Sequence, residues 1–221
     1  MLKYKLGFLF VFILFLCGYS FVSADNYDLK LLGKVIYIDV GHGGLDPGAV
    51  YKDIYESDIN LEISLTLEET LEKYGAIVYL TRYGDYDLSV NNTINRKRSD
   101  LSRRANLINK SLCDMYISIH LNAESSSTWR GAQVFYDDIN PKNENIAKIM
   151  QKVLKEDLGT KREYKEFKDK YLHKRVERPG VLVEVGFISN TNERYLLRQK
   201  TYQQKVSNSI TRGVIEYFDS I

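Results

Sequence analysis

Lys34-Val-Ile-Tyr-Ile-Asp-Val-Gly-His42 is a short apolar run that ends at a histidine and a glycine-rich turn. Two later stretches have the same form, Met115-Tyr-Ile-Ser-Ile-His120 and Val181-Leu-Val-Glu184. Runs of this length, rich in Val and Ile, read as strands covered on both faces, as in parallel sheets. If the three strands are parallel, two imidazoles and one carboxylate emerge along the same carboxyl edge, where open α/β sheets place their ligand sites. That arrangement points to a metal site with a carboxylate base beside it.

Working outward, apolar strands alternate with amphipathic helices from Gly33 onward, with no Pro/Ser-rich linker, low-complexity tract or repeat. The pattern predicts a single α/β domain over residues 33–221, with a central, mostly parallel sheet flanked by helices. Strands are expected at 35–40, 76–80, 115–119, 131–136 and 181–185. A helix is expected over 58–74, where Ile59, Ile63, Leu67 and Leu71 recur every four residues and Gly75 stops the run. Further helices are expected over about 101–109, from Ile146 to near Gly159, and over 191–198 and 201–218. Residues 83–98 read as a surface loop, and the charge-dense stretch 161–170 as a solvated excursion.

The amino terminus carries an address. Lys3 and Lys5 precede an almost unbroken apolar run from Leu6 to Cys17, and Val22-Ser-Ala24 offers small residues for cleavage. Residues 1–24 therefore read as a secretory signal peptide, with an uncleaved membrane anchor as the alternative. Either way the remainder is exported across the cytoplasmic membrane, and contact with the membrane is expected only through this segment. Its removal takes away two lysines and no acid, which leaves basic and acidic residues equal in number. No electrostatic case for nucleic acid survives. Cys113 is then the one remaining cysteine, so stability must come from a core and not from an internal disulfide.

Two imidazoles and a carboxylate, with a fourth position left for water, are a recurring ligand set for hydrolytic zinc. Glu56 is the first candidate for the carboxylate, because it lies just past the glycine-rich loop at the start of a helix, where the dipole favours an anion. Asp46, Asp53 and Asp58 compete with it. Glu184 is different, since it interrupts the apolar strand Val181-Leu-Val-Glu-Val-Gly186. A carboxylate there either serves a site, as a base that takes a proton from water and returns it to a leaving amine, or is a buried partner of Arg or Lys. His173 stands among Lys170, Lys174 and Arg175 and reads as a surface residue. Asn122 and Arg82, each near a strand end, either orient substrate or are ordinary surface polar groups.

Several motifs also stand in a telling order: Asp39-Val-Gly-His-Gly-Gly-Leu-Asp-Pro-Gly48, Glu56, Thr81-Arg82, Arg104-Ala-Asn106, Ser118-Ile-His-Leu-Asn122 and Val183-Glu-Val-Gly-Phe-Ile-Ser-Asn190. Together, over about 34–218, they resemble the zinc-dependent N-acetylmuramoyl-L-alanine amidases that cut peptidoglycan. Asn122-Ala-Glu-Ser-Ser-Ser-Thr-Trp129, Gly131-Ala-Gln-Val-Phe-Tyr136 and the lack of wall-binding repeats are most similar to the germination-related amidases of spore-forming bacteria. The resemblance implies one zinc ion held by His42, Glu56 and His120, water in the fourth position, and Glu184 as the catalytic glutamate. It also implies a bond: the amide between the lactyl group of N-acetylmuramic acid and the first L-alanine of the peptide stem, cut for muramic-δ-lactam formation in the spore cortex during sporulation. One departure is Ser57, where many relatives carry Lys after the ligand glutamate.

The location implied is the cell wall or the forespore intermembrane space. Relatives are often held inactive until an accessory protein engages them, so an activator protein is an expected partner beside peptidoglycan itself. Two other readings use the same residues: a zinc peptidase that cuts within the stem, and a catalytically silent wall-binding scaffold.

Overall fold

The runs that end at His42, His120 and Glu184 lie side by side as strands, and the rest of the chain is arranged to cover them. A computed structural model describes residues 28–90, 94–168 and 170–221, and the segment read as a signal peptide lies outside the described residues. Strand β1 (Val35–Val40) leads to a small hairpin, β2 (Val50–Tyr51) and β3 (Ile54–Tyr55), then to helix α1 (Glu56–Lys73) and β4 (Ile77–Leu80). Next come α2 (Arg96–Ser111), β5 (Met115–Asn122), β6 (Gln133–Tyr136), α3 (Asn143–Leu158) and β7 (Lys165–Glu166). A 3-10 turn (His173–Arg175), β8 (Gly180–Phe187), α4 (Thr191–Leu197) and α5 (Lys200–Asp219) complete the order.

Six strands form one sheet in the order β4-β1-β5-β8-β6-β7. The first four run parallel, and β6 opposes β8. This is the expected single α/β domain with a mostly parallel sheet between helices. Among the described residues no helix is long and apolar enough to cross a membrane.

Alternation along the strands separates two unequal cores. Ile36, Ile38 and Val40 of β1, Met115, Ile117 and Ile119 of β5, and Val181, Val183 and Val185 of β8 point to one face, where they meet α1, α3 and α5 in the larger core. Tyr37 and Tyr116 point to the other face and join Ala105, Ile108, Leu172 and Val176 in a smaller core under α2 and the 3-10 turn. By the same alternation Asp39, Ser118, His120 and Glu184 project to the thinly covered side. Pairing brings Asp39 opposite Ser118, and His120 opposite Glu184.

The structure corrects several expectations. Helix α2 begins at Arg96, inside the expected loop, because the run of basic residues there carries no apolar period to announce it. The hairpin β2–β3 was not expected, since two-residue strands leave almost no alternation to read. The stretch 161–170 is not wholly a solvated excursion, as Lys165–Glu166 pairs with β6 at the sheet edge. Residue 173 is also misplaced by the sequence reading: His173 is only 3% exposed, because the 3-10 turn folds its ring under the sheet against Tyr116 and Phe167.

Strand spacing between β5 and β8 depends on Gly180, where a Cβ would fall on the carbonyl oxygen and ring of Tyr116. Gly180→Ala should lower stability by about 1–3 kcal/mol, as overpacking against backbone does. Urea denaturation reads this directly, and an unchanged midpoint would mean that the strand pair can open without cost.

Candidate metal centre

Each of the three converging groups is placed by a different element. His42 follows β1 and adopts φ +62°, a left-handed conformation that costs an L-residue roughly 1–2 kcal/mol. His120 lies near the end of β5. Glu56 is the first residue of α1, whose N-terminus is capped by the preceding loop and not by a side chain: Glu56 N donates to Ala49 O and Ser57 N to Pro47 O. In return Ala49 N donates to Glu56 Oε2 at 2.8 Å, which ties the carboxylate to the loop that caps its own helix.

Glu56 Oε1 is 3.2 Å from His42 Nε2 and 3.1 Å from His120 Nδ1. The candidate ligand atoms of the three residues lie within 4.8 Å of one another, and the two imidazoles meet edge to face with centroids 4.9 Å apart. Leu121 N also donates to Glu56 Oε1 at 3.0 Å. Burial alone would raise the Glu56 pKa, but the hydrogen bonds and charges of His120 and His42 hold it well below the usual carboxylate range. Burial likewise works against a charge on His42, and Asp46 and Glu56 overcome it, carrying the imidazole up to about 9. Three side chains that would each be poorly placed alone therefore hold one another. Two imidazole nitrogens and a carboxylate oxygen within the reach of one ion form a donor set that fits zinc.

Of the competing acids, Asp46 lies 3.0 Å from His42 Nδ1, on the outer side of that ring, whereas Asp53 and Asp58 are exposed. Glu184 stands beside the triad on the neighbouring strand. Its Oε2 is buried and has no hydrogen-bond partner among the described residues. Burial, reinforced by the Glu56 charge, pushes its pKa up, against the opposing effects of His120, Lys170 and His42. A carboxyl raised in this way, with one oxygen unpartnered among the described residues, is suited to accept and return a proton. Asn122 lines the same cleft of about 320 Å³. Arg82 does not. It is 1% exposed, and its guanidinium donates to the carbonyl oxygens of Val40, Gly41, Ser57 and Gly84, so its place is beneath the His42 turn and not against a ligand.

Arg104 is the residue whose role the sequence did not disclose. Also 1% exposed, it donates to His42 O at 2.6 Å, to Asp39 Oδ1 at 3.1 Å and to Asp100 Oδ2 at 2.9 Å, and it reaches Val40 O as well. Asp39 in turn accepts from Ser118 Oγ at 2.6 Å and from Thr81 Oγ1 at 3.2 Å. Burial would raise the Asp39 pKa, but the Arg104 charge and the Ser118 hydroxyl keep it below its ordinary value. The available signal was the one that singled out Glu184: Asp39 also interrupts an apolar strand. Buried His173 belongs to a separate network, with Nδ1 2.9 Å from Tyr116 Oη, and desolvation lowers its pKa to about 3.

Residues 36–216 match the family model described as N-acetylmuramoyl-L-alanine amidase. The germination-specific N-acetylmuramoyl-L-alanine amidase of Bacillus subtilis is 43% identical, over 98% of this chain and 94% of the relative. Among solved structures, the Clostridioides difficile amidase CwlD, in complex with the GerS lipoprotein, superposes with TM-score 0.81 at 39% identity, covering 85% of this chain and all of that one. An N-acetylmuramoyl-L-alanine amidase from Clostridium difficile 630 superposes with TM-score 0.76 at 29% identity, over 85% of this chain and 97% of the other.

Arg104→Met should destabilise the protein by about 3–5 kcal/mol, because Asp39 is then buried without its counter-charge. Adding Asp39→Asn to that variant should restore part of the loss. Thermal melts of the single and double variants check this, and additive losses would show that the two groups are not coupled.

Proposed function

This chain belongs to the N-acetylmuramoyl-L-alanine amidase family, and on that premise we propose that His42, Glu56 and His120 hold one zinc ion while Glu184 moves the proton in hydrolysis of peptidoglycan. The observation that carries this reading is the placement of a buried Glu184 oxygen, without a hydrogen-bond partner among the described residues, directly across the strand pair from His120. The bond cut is the amide between the lactyl group of N-acetylmuramic acid and the first L-alanine of the stem. His42, Glu56 and His120 would hold the zinc, which when bound would supply Lewis acidity for the carbonyl and the attacking water. Glu184 accepts a proton from the attacking water. As the carbon–nitrogen bond breaks it delivers that proton to the leaving nitrogen, and the second water proton passes from the new carboxyl to the amine, so the products are a lactyl carboxylate and a stem ammonium. Asn122, on the cleft wall beside His120, orients the substrate through its amide.

The protein acts on spore-cortex peptidoglycan, as the similarity to the germination-specific enzyme supports. Its product is the stem-free muramic acid from which muramic-δ-lactam is made. Residues 1–24 direct export to the cell wall or forespore intermembrane space, and an accessory protein engages the folded enzyme there. The complex between CwlD and the GerS lipoprotein supports such a partner.

Glu184→Gln should leave zinc content unchanged and lower turnover of wall fragments by about 10²–10⁴-fold, the usual contribution of a positioned acid–base group. His120→Ala should lower both. Metal analysis beside a turnover assay separates the two effects, and normal activity in Glu184→Gln would remove the assigned proton carrier. Mass spectrometry of digested wall should show intact stems released from glycan in the zinc-loaded protein only. Shortened stems still joined to muramic acid would instead mean a peptidase.

A further inference from the structure

The cleft over the triad has one cationic wall. It is built where the start of α2 meets the segment before the 3-10 turn, and it carries Lys97 and Lys170. Their situations differ. Lys97 Nζ lies 3.5 Å from Asp46 Oδ2, so its charge is largely answered within the protein. Lys170 is exposed, and no carboxylate of the described residues lies within ion-pair distance of it. Its charge nevertheless acts inward, on both Glu184 and His173.

The backbone that carries Lys170 is held firmly, although its side chain is exposed. Leu172 is buried in the smaller core. Tyr171 Oη accepts from Arg98 Nε at 2.9 Å and meets Ser102 Oγ at 3.0 Å, and the Arg175 guanidinium lies 3.5 Å from the centre of its ring. Lys170 O accepts from Lys174 N at 3.2 Å. A charge carried on a pinned segment at the lip of a cleft costs little to organise when an anion arrives.

We propose that Lys170 is a specificity-determining residue of the cleft, holding a carboxylate of the substrate's peptide half while the scissile amide lies over His42, Glu56 and His120. This rests on the amidase reading above. A peptide stem always ends in a carboxylate unless it is capped, and Lys170 is a cleft-lining cation with no carboxylate of the described residues in ion-pair distance. Lys170 thus sets which way round the substrate lies: peptide toward the α2 wall, glycan away from it. An ammonium suits this task better than a guanidinium fork would, because a point charge accepts carboxylates at varied angles.

The test uses the zinc-loaded full chain and its Lys170→Ala and Lys170→Arg variants. The probe is a free stem peptide, which the enzyme has no bond to cut, compared with the same peptide bearing carboxamides in place of carboxylates. Calorimetry should show the carboxylate peptide bound about three- to tenfold more weakly by Lys170→Ala, with affinity largely recovered in Lys170→Arg. The carboxamide peptide should bind all three proteins alike. On wall fragments Lys170→Ala should raise KM by a similar factor at nearly constant kcat. Equal affinity of the three proteins for the carboxylate peptide, or an equal loss for both peptides, overturns the role of Lys170. Shortened stems still joined to muramic acid after digestion by the wild-type protein overturn the amidase reading instead, and leave the peptide-binding result to decide Lys170 independently.

Discussion

Everything at the candidate metal centre depends on how the chain leaves β1. At that point it must turn sharply, expose His42 with a positive φ and leave three successive carbonyl oxygens, of Val40, Gly41 and His42, pointing into the protein. Two buried arginines take up all three: Arg82 serves Val40 and Gly41, and Arg104 serves Val40 and His42. Two guanidiniums in so small a volume repel each other, and burial together with Arg104 brings Arg82 down to about 10. Asp39 makes the pair tolerable. Its carboxylate sits in the strand directly below the turn and is held by Arg104, Ser118 and Thr81, so the neighbouring strands β5 and β4 are tied into the same network. Such an assembly is expensive to desolvate and unforgiving of partial loss. It fixes the direction of the His42 ring.

The division of the two faces follows from the same strands. Residues of one parity in β1, β5 and β8 fill a large apolar core, which allows those of the other parity to be polar. On that second face the cover is thin, one helix and one 3-10 turn, and the space left open becomes the cleft. A side chain at Gly41 would run into the His120 ring, so the glycine there lets the second imidazole approach the first. The acidic partner comes from outside the sheet, on the first turn of α1, and is brought in by a loop that caps the helix with its own carbonyls. Sheet, turn and helix each contribute one candidate ligand, and a shift in any of them would separate the donors.

How far the sequence was legible can be judged from particular residues. His42 and His120 stood out because each closes a β-branched run, and the strand period carries that information locally. Glu184 stood out because a carboxylate among valines demands a reason. Asp39 offered the same signal and its meaning was not extracted, since the partner that gives it a role lies 65 residues away on a different element. Arg82 misled for the converse reason. A strand-end arginine looks available for a ligand until its four carbonyl partners are seen. His173 likewise looked exposed among lysines and arginines, because a single 3-10 turn has no period by which a sequence could show that one of its members faces inward.

By itself, then, the sequence determined the α/β class, the positions of the buried strands, the candidate ligands and, through the order of its motifs, the family. These follow from periodicity and from chemically unusual residues in apolar surroundings, both of which are local properties. Only the tertiary structure decided that Asp46 stands behind His42, that Arg82 and Arg104 are props for the turn, and that Lys170 borders the cleft with no carboxylate of the described residues in ion-pair distance. Those assignments depend on contacts between elements far apart in the chain, and distance in space is the one quantity that hydrophobic periodicity and residue type do not encode.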